Sequence, residues 1–526
     1  MGYSGRMRAA VADIGTSSSH LLIAESHGAS YRVLDALKVR TKLGDCLDVS
    51  GDLTPEGEAR LAAALKQFRE LARGAGVGEV RVYATSALRE APNGAAVAAR
   101  MREQTGIYPA IISGEREGEL TYLGMAQGVE LGADNVLLDL GGGSLEFVRG
   151  DAQRPTDVLS LPLGSIRMTH AFVPDGAGRG GQLAALREAV TFALAPHRER
   201  FAAHSGAVTQ FILSSGTAEA AAEAIVAWRA EVAASKGGAG KGHAARSAAG
   251  AGSLNGVQIG LDELGDLLAR VTRAGAAARA KMPGIERRTD TIVAGLATLH
   301  AALELLGATR FTVSEGALRE GMLVEELSRL DAFTQSLSAR QRSVVATAER
   351  YRVDLAHAQQ VAELSRSLFD ALRPTRAFAP EARSLLTAAA ALHESGLLVA
   401  QSSHHKHSAY LIRHGGLGGF DPRETELIAQ IARYHRKSAP KASHAEFTAL
   451  PPADRTLVTE LAAILRVADG LDRAHAGRSE LVSLEPVRAG WRLTVRGATP
   501  LDLAGAGLKA DLWGKVFGPL DLRAIG

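Results

Sequence analysis

Apolar and polar residues along the first 125 positions predict strands and helices in turn. Apolar runs at 8–13 and 19–26 predict two strands, and alternation at 30–40 predicts a third. Thr54 and Pro55 predict the start of a helix that continues to about residue 73. Proline is favourable at the first helical position because the amide hydrogen that it lacks would make no hydrogen bond within the helix. The same periodicities predict, in order, a strand at 79–87, a helix at 93–104, a strand at 107–113 and a helix at 115–128.

At residue 135 the pattern starts again. The segment "AAVADIGTSSSHLLIAE" (9–25) is a strand, Asp13, a glycine turn and a strand, and "NVLLDLGGGSLEFVRG" (135–150) repeats this order with Asp139. Two such copies, about 126 residues apart, predict duplicated α/β domains at 1–125 and 126–325 that face a cleft. Within the second, low-complexity sequence at about 233–253 is typical of an insertion.

The remainder of the chain has a different character. Helical periodicity dominates from 335 to 478, which predicts an all-helical domain. Strand alternation returns in "LVSLEPVRAGWRLTVRG" (481–497), so we expect a small α+β module at 479–526.

Composition narrows the class of protein. With 526 residues the chain needs several cores, and 46% hydrophobic and 22% charged residues are ordinary for a globular protein. The single cysteine, Cys46, excludes an internal disulfide. No apolar run reaches the roughly 18–20 residues of a membrane helix, and the amino terminus lacks the apolar centre of a secretory signal. We therefore expect a cytoplasmic location and no membrane span.

Charge is balanced overall but uneven along the chain. The net charge of +3 gives no reason to expect a nucleic-acid partner. Residues 401–441, however, contain seven lysines and arginines and five histidines against three acids. This segment is either a solvated face or a track for a polyanion.

The two glycine turns suggest phosphate chemistry. Glycine lets backbone amides approach a ligand closely, and several amides that point one way bind anions. Asp139 and Glu146 flank the second turn and could hold a divalent cation, since Mg²⁺ prefers carboxylate oxygens and water. The alternative is that this turn only connects the two strands of a hairpin and binds no ligand. The matching turn at 13–19 argues against that alternative.

An ordered series of motifs resembles the exopolyphosphatase/guanosine pentaphosphate phosphatase family, within the actin-like superfamily. The motifs are "DIGTSSSHLLIAE" (13–25), "ATSALREAPN" (84–93), "ISGEREGELTYLGM" (112–125), "DLGGGSLEF" (139–147), "LPLGSIRMT" (161–169), "SSGTAEA" (214–220) and "VSEGALREGML" (313–323). The helical part is similar to that of the long exopolyphosphatases, through "LHESG" (392–396), "HHKHSAYLI" (404–412), "GF" (419–420) and "ARYHRKSAP" (432–440). The resemblance implies duplicated actin-like (ribonuclease H-like) domains, an HD-like helical domain and a homodimer.

The resemblance also implies roles for particular residues. Glu117 matches the base that activates water, Arg89 a phosphate-contacting arginine, and Asp139 and Glu146 the metal-associated acids. The implied phosphate-binding residues are Asp13, Gly15, Thr16, Ser17, Ser18, Gly141, Gly142, Gly143, Ser144, Ser215, Gly216 and Thr217. The implied cofactor is Mg²⁺, with Mn²⁺ as an alternative and a monovalent cation as an addition.

Three positions depart from the family pattern. Ser17 replaces an asparagine, Ser19 a phenylalanine, and Leu145 a threonine whose hydroxyl could have been a ligand. We interpret these as adjustments of the site, because Glu117 and the acidic pair remain.

In the helical part, His357, His393 and Asp469 follow the order of an HD-type metal phosphohydrolase. Its central aspartate is replaced by Glu394, whose extra methylene we expect to disturb a tight metal site. We therefore expect this domain to bind distal phosphates without a metal, through the tract His404, His405, Lys406, Arg433, Arg436 and Lys437.

The first hypothesis for function is Mg²⁺-dependent hydrolysis of terminal phosphate from inorganic polyphosphate. The second is hydrolysis of guanosine pentaphosphate (pppGpp) by the same chemistry. A non-catalytic polyphosphate or nucleotide sensor is the third, and the retained acids argue against it. An actin-like sugar kinase would need adenosine and sugar pockets, for which no segment provides a match.

Overall fold

The computed structural model describes residues 7–27, 30–179, 181–204, 208–236, 253–329 and 338–525. The chain divides into two compact units, an N-terminal unit of Met1–Ala339 and a C-terminal unit of Arg340–Gly526. Most of the predicted insertion, residues 237–252, lies outside the described ranges. None of the helices within those ranges combines the length and hydrophobicity needed to cross a membrane.

The N-terminal unit begins with a five-stranded sheet in the order β3-β2-β1-β4-β5. Its strands are β1 (Arg8–Ile14), β2 (Ser19–His27), β3 (Ser30–Val39), β4 (Val80–Ala84) and β5 (Ala110–Ile111). The accompanying helices are α1 (Pro55–Gly74), α2 (Ser86–Glu90), α3 (Gly94–Thr105) and α4 (Gly114–Gly128). Thr54 caps α1 by accepting a hydrogen bond from the Gly57 amide at 3.3 Å, as its position before Pro55 predicted.

The second half of this unit contains a six-stranded sheet in the order β10-β11-β9-β6-β7-β8. Its strands are β6 (Asn135–Leu140), β7 (Leu145–Gly150), β8 (Pro155–Leu161), β9 (Gln210–Ser214), β10 (Gln258–Gly260) and β11 (Arg310–Val313). Its helices are α5 (Ser165–Phe172), α6 (Gln182–Leu194), α7 (Arg198–Phe201), α8 (Gly216–Lys236), α9 (Leu261–Arg273), α10 (Ala276–Arg279), α11 (Ile292–Leu305) and α12 (Leu318–Arg329).

The two sheets share one topology. In the first, β1 pairs antiparallel with β2 and parallel with β4. In the second, β6 pairs antiparallel with β7 and parallel with β9. The register also matches, since Asp13 lies opposite His20 and Asp139 lies opposite Glu146. The repeat seen in the sequence is therefore a repeat of structure.

Helices α4 and α12 approach each other closely enough to require glycine at their contact. A Cβ on Gly124 would lie 1.8 Å from the Ala317 carbonyl oxygen, and one on Gly321 would lie 1.7 Å from that of Leu120. The same pair of helices covers the apolar face of β1, where Val11 packs with Leu120 and Leu323. This contact fixes α4, which carries Glu117.

The C-terminal unit is helical with one three-stranded sheet in the order β12-β13-β14. Its helices are α13 (Ala339–Arg350), α14 (Leu355–Leu372), α15 (Ala382–Leu392), α16 (His404–His414), α17 (Pro422–Arg433), α18 (Ala445–Thr448), α19 (Pro452–Gly470), α20 (Pro500–Lys509) and α21 (Asp511–Val516). The strands are β12 (Glu480–Val487), β13 (Gly490–Arg496) and β14 (Leu520–Ile525). Leu493 and Trp513 lie in the same core as Ile464, so the predicted boundary at 478/479 stays a prediction.

Element ends differ from the prediction in one place that matters for the site. The predicted strand 79–87 ends at Ala84, and Ser86–Glu90 turns into the short helix α2. The Thr85 carbonyl accepts hydrogen bonds from the amides of Leu88 and Arg89, which closes this turn. Sequence periodicity cannot detect a single helical turn.

We predict that Gly321→Ala destabilises the N-terminal unit by about 1–3 kcal/mol, because the new methyl group would overlap the Leu120 carbonyl. Urea denaturation measures the free energy of unfolding. Gly74→Ala is the matched control: a Cβ there meets nothing within 4 Å, and we expect a change of at most about 1 kcal/mol. Equal stability of the two variants would contradict the close helix contact.

Candidate active site between two glycine turns

Two glycine turns face each other in the N-terminal unit. The Gly15 amide donates to the Ser18 carbonyl at 3.1 Å, and the Gly141 amide donates to that of Ser144 at 3.0 Å, so both turns have the same hydrogen bond. A Cβ on Gly143 would lie 2.1 Å from Ser86 Oγ and 3.1 Å from Thr16 Oγ1. Glycine is therefore required where the second turn meets the first.

The turns border a cleft of about 1510 Å³. Most of the residues implied by the resemblance line it: Asp13, Gly15, Thr16, Ser17, Ser18, Glu117, Asp139, Gly141, Gly142, Gly143, Ser144, Ser215 and Gly216. Three others do not. Arg89 lines a smaller adjoining pocket that shares Ser144 with the cleft. Glu146 and Thr217 are buried, with 1% and 2% of their surface exposed.

Glu117 is held at the edge of this cleft by Arg89. It lies in the first turn of α4, which Ser113 caps by accepting from the Arg116 amide at 3.1 Å. Arg89 Nη1 donates to Glu117 Oε2 at 2.9 Å and to the Ile112 carbonyl at 3.0 Å. Burial raises the pKa of Glu117, and the Arg89 guanidinium opposes this rise. Arg89 therefore acts here on the carboxylate, fixing its orientation and favouring its ionised form.

Asp13 and Asp139 end equivalent strands and lie close to other acids. Burial, with smaller contributions from neighbouring carboxylates, raises the pKa of each to about 7. Burial also raises the pKa of Glu146, whose Oε1 accepts from Ser160 Oγ at 2.8 Å. Asp13 Oδ1 has no hydrogen-bond partner among the described residues. This arrangement fits a divalent cation, which would balance the crowded negative charge and bind oxygen ligands.

His20 occupies the position in the first half that Glu146 occupies in the second. Its Nε2 lies 2.7 Å from Ser18 Oγ, and its Nδ1 lies 3.9 Å from Asp13 Oδ1. Burial, aided by Arg319 and Lys38, lowers the pKa of His20 to about 3, so the ring is neutral. The duplicated halves are therefore alike in backbone but differ in charge.

Cationic side chains also line the cleft. Lys38, Arg288 and Arg319 are among them, and Arg319 Nε lies 3.9 Å from Asp13 Oδ1. Burial lowers the pKa of Lys38, and the nearby Arg288 lowers it further. Glu219 opposes this lowering, and a bound anion would oppose it further. The cleft thus combines crowded acids with crowded bases.

The sequence analysis assigned no role to several residues that line the cleft: His20, Lys38, Arg40, Glu219, Arg288 and Arg319. Aligning the two turns identifies His20 as the counterpart of Glu146, and Arg319 lies inside the quoted motif at 313–323. Arg288 lies in a loop outside every motif, so its approach to the cleft has no local signal.

Comparison with known proteins identifies the family. A model of the Ppx/GppA phosphatase family matches residues 22–330, which is more than half of the chain. The chain belongs to the Ppx/GppA phosphatase family. A model of domain III of the Ppx/GppA phosphatases matches residues 339–501. The chain is thus a hydrolase, as the motifs implied.

Solved Ppx/GppA structures share the fold. An exopolyphosphatase from Cytophaga hutchinsonii is 24% identical, covers 62% of this chain and 100% of its own, and gives a TM-score of 0.53. The Aquifex aeolicus family member is 23% identical, covers 62% of this chain and 99% of its own, and gives a TM-score of 0.51. These likenesses confirm the actin-like α/β fold. The HD-like domain and the separate terminal module stay predictions.

The positions that depart from the Ppx/GppA pattern have different surroundings. Ser17 is exposed at the cleft, where its carbonyl accepts from the Lys42 amide at 3.0 Å. Ser19 is buried, and its hydroxyl lies 3.1 Å from Thr41 Oγ1. Leu145 is buried in the core of the second half. Only Ser17 is therefore placed to contact a ligand.

Ser215 has a strained backbone at the cleft. Its φ of 127° is outside the range that non-glycine residues prefer, which costs on the order of 1–3 kcal/mol. Its hydroxyl accepts from the Ala218 amide at 3.1 Å and so caps the long helix α8. This conformation directs the amino end of α8 at the cleft. The amino end of a helix favours anions.

The six residues of the proposed polyphosphate tract differ in exposure. His404 and His405 are only 3% and 9% exposed, and Arg433 donates to Glu446 Oε2 at 2.9 Å. Lys406 and Lys437 are exposed, and Arg436 donates to the His404 ring. Polyphosphate binding by the tract stays a prediction, and the two lysines are the members best exposed for it.

We predict that Asp139→Asn stabilises the metal-free protein progressively as pH rises from 5 to 8. With a pKa of about 7 when folded and about 3.8 when unfolded, Asp139 binds more protons in the folded state. Its ionisation therefore weakens the folded protein as pH rises through this window, at a cost on the order of 2 kcal/mol or more.

Denaturation in a chelator at each pH measures this effect. Asp266→Asn, an exposed change in α9, is the control and should show no such trend. A constant stability difference between Asp139→Asn and the parent across the range would contradict the crowding of the acids.

Proposed function

We propose that the chain is an exopolyphosphatase, which hydrolyses the terminal phosphoanhydride of inorganic polyphosphate and releases orthophosphate. The observation that carries this proposal is the presence, in one cleft, of crowded carboxylates with raised pKa values and a cationic group, Lys38, whose pKa is lowered. A polyanion together with a divalent cation offsets both kinds of repulsion.

Asp13, Asp139 and Glu146 are the residues we assign to the cation. Carboxylate oxygens suit Mg²⁺ or Mn²⁺, and Asp13 Oδ1 accepts no hydrogen bond within the described structure, although Arg319 Nε lies 3.9 Å from it. When bound, such an ion would polarise phosphoryl oxygens and neutralise part of their charge.

The remaining steps use the protein's own groups. Glu117 orients a water molecule and accepts its proton while the oxygen attacks the terminal phosphorus. The anhydride bond breaks, and the shortened chain leaves with the bridging oxygen. Amides of the two turns and the amino end of α8 stabilise the charge that spreads over the phosphoryl oxygens, with Arg319 beside them. Arg89 keeps Glu117 aligned and opposes its protonation.

The polymer is the preferred substrate class because the cleft is large and rich in cations. Arg40, Lys42 and Arg287 line it in addition to the cations already described. These cations suit a ligand with several phosphate groups better than a ligand with a single phosphate, because each additional phosphate can form another ion pair. Hydrolysis of pppGpp would use the same catalytic groups and is the alternative.

A phosphate-release assay tests the substrate assignment directly. We predict that kcat/KM is at least tenfold higher for long polyphosphate than for pppGpp, and that chelation abolishes both activities. Short polyphosphate in the same assay reports whether chain length matters. A higher value for pppGpp would transfer the assignment to that nucleotide, and release of phosphate from neither would refute the proposal.

Replacing Glu117 by Gln should lower kcat by about 10²–10⁴-fold, since the amide cannot accept a proton. Polyphosphate affinity, measured by equilibrium binding, should change by less than threefold. Glu119→Gln is the matched control on the same helix, because Glu119 is half exposed and pairs only with Arg116 in the described structure. A nearly normal kcat in Glu117→Gln would remove it from this role.

Arg89→Met should shift the acidic limb of the pH–rate profile upward by about one unit or more, because the guanidinium opposes the burial that raises the pKa of Glu117. Activity lost at low pH should then be partly regained at high pH. The control is Arg116→Met, which removes a charge from α4 that pairs with Glu119. If the two variants share one profile, Arg89 does not act through Glu117.

A further inference from the structure

A second group of buried titratable side chains lies in the C-terminal unit, formed by His357, His393, Glu394 and Asp469. His357 lies near the start of α14, His393 and Glu394 directly follow α15, and Asp469 lies near the end of α19. The two histidines and the aspartate are at most 5% exposed. Three separate helices therefore bring these groups together inside the core.

Two imidazole nitrogens and two carboxylate oxygens converge in this cluster. His357 Nε2 lies 3.9 Å from Asp469 Oδ1 and 4.0 Å from Glu394 Oε2, and His393 Nε2 lies 3.8 Å from Asp469 Oδ1. Both ring nitrogens and Glu394 Oε2 are buried without a hydrogen-bond partner among the described residues. A buried polar atom without a partner is unfavourable, so three such atoms in one place favour a shared ligand.

The hydrogen-bond partners of each Nδ1 determine whether the Nε2 of the same ring can bind a metal ion. His393 Nδ1 lies 2.7 Å from the Ala390 carbonyl, which can only accept a hydrogen bond. His357 Nδ1 lies 2.8 Å from Asp472 Oδ2, and Asp472 Oδ1 accepts from the Gly477 amide. Each Nδ1 therefore carries the hydrogen, and each Nε2 directs a lone pair at the cluster. Partners of this kind orient histidine ligands in metal sites.

We propose that this cluster binds one first-row divalent transition-metal ion through His357, His393, Asp469 and Glu394. Imidazole nitrogen combined with carboxylate oxygen suits Zn²⁺, Fe²⁺ or Mn²⁺ better than Mg²⁺. With metal–ligand bonds of about 2.0–2.2 Å, two ligand atoms can lie up to about 4.2 Å apart, and the observed separations fall within this limit.

Two neighbouring groups contact the proposed ligands. Lys509 Nζ donates to Asp469 Oδ2, so Oδ1 remains directed at the two histidines. His435 forms a second set with His393 and Asp469, whose ligand atoms lie within 4.8 Å of one another. Its Nδ1 lies 2.7 Å from the Ala432 carbonyl and its Nε2 lies 3.2 Å from His404 Nε2, so His435 already has partners on both sides and the proposed site does not use it.

Glu394, whose extra methylene was expected to disturb a metal site, still reaches the cluster. The backbone after α15 places Glu394 so that its longer side chain still brings Oε2 within 4.0 Å of His357 Nε2. Its side chain is 14% exposed, which provides a route from solvent to the buried ligands.

Zinc retention by the full-length protein tests the proposal. The protein is stripped with a chelator, dialysed against Zn²⁺ with excess Mg²⁺ to occupy oxygen-only sites, desalted, and measured by mass spectrometry. We expect about one Zn²⁺ per chain, bound at least tenfold more weakly in His357→Ala and His393→Ala. Two controls should retain zinc: His414→Ala, an exposed position on α16, and the pair Asp139→Asn with Glu146→Gln in the N-terminal unit.

The outcomes separate this inference from the proposed function. No zinc in the parent protein, or equal zinc in the two histidine variants, overturns the site. Loss of zinc in the Asp139/Glu146 variant places the ion in the other cleft and also overturns it. Should the histidine variants fail to fold by circular dichroism, Co²⁺ added to the parent protein decides the matter. Visible bands of imidazole-ligated cobalt support the site, and a spectrum of aqueous cobalt refutes it.

Discussion

The burial of neighbouring carboxylates is the constraint on which the candidate active site depends. Asp13 and Asp139 are fixed by the registers of β1 and β6, so they cannot separate without breaking the ladders of two sheets. Glu117 adds a third acid on a helix locked by glycine contacts. Because the scaffold holds these groups in a buried place, ionising them lowers the free energy of unfolding. Ligands that carry the complementary charges offset this loss, which couples binding to stability.

The site is built from two similar strand–turn–strand halves, and the two halves differ in charge. Equivalent turns supply two sets of amides, yet His20 stands where Glu146 stands in the other half. The neutral ring and Arg319 leave the first half less negative, which suits phosphate oxygens. The acid pair of the second half suits a cation. A symmetrical site with four acids would repel the substrate, so the loss of one carboxylate favours a polyanion.

Sequence patterns predicted much of the fold and the central site because both depend on local signals. The Thr54–Pro55 helix start, the strand alternation and the repeated Asp-Gly turns are encoded within short windows. Arg288 escaped prediction because its position at the cleft arises from tertiary packing. The basic segment at 401–441 shows the limit of counting charges: α16 turns His404 and His405 into the core, and a linear window cannot distinguish the faces of a helix whose start is unmarked.

The two clusters of titratable groups follow different chemical rules, and this difference has consequences for metal use. The cleft of the N-terminal unit offers carboxylate oxygens. Protons and hard cations compete for these oxygens. The C-terminal cluster offers imidazole nitrogens whose ring orientations are fixed by Ala390 and Asp472, so each Nε2 already points at the cluster. Preorganised imidazoles lose little entropy on binding and discriminate against Mg²⁺. The two proposed sites therefore differ in the donor atoms they offer, so we expect a transition metal and a harder ion to select different sites in one chain.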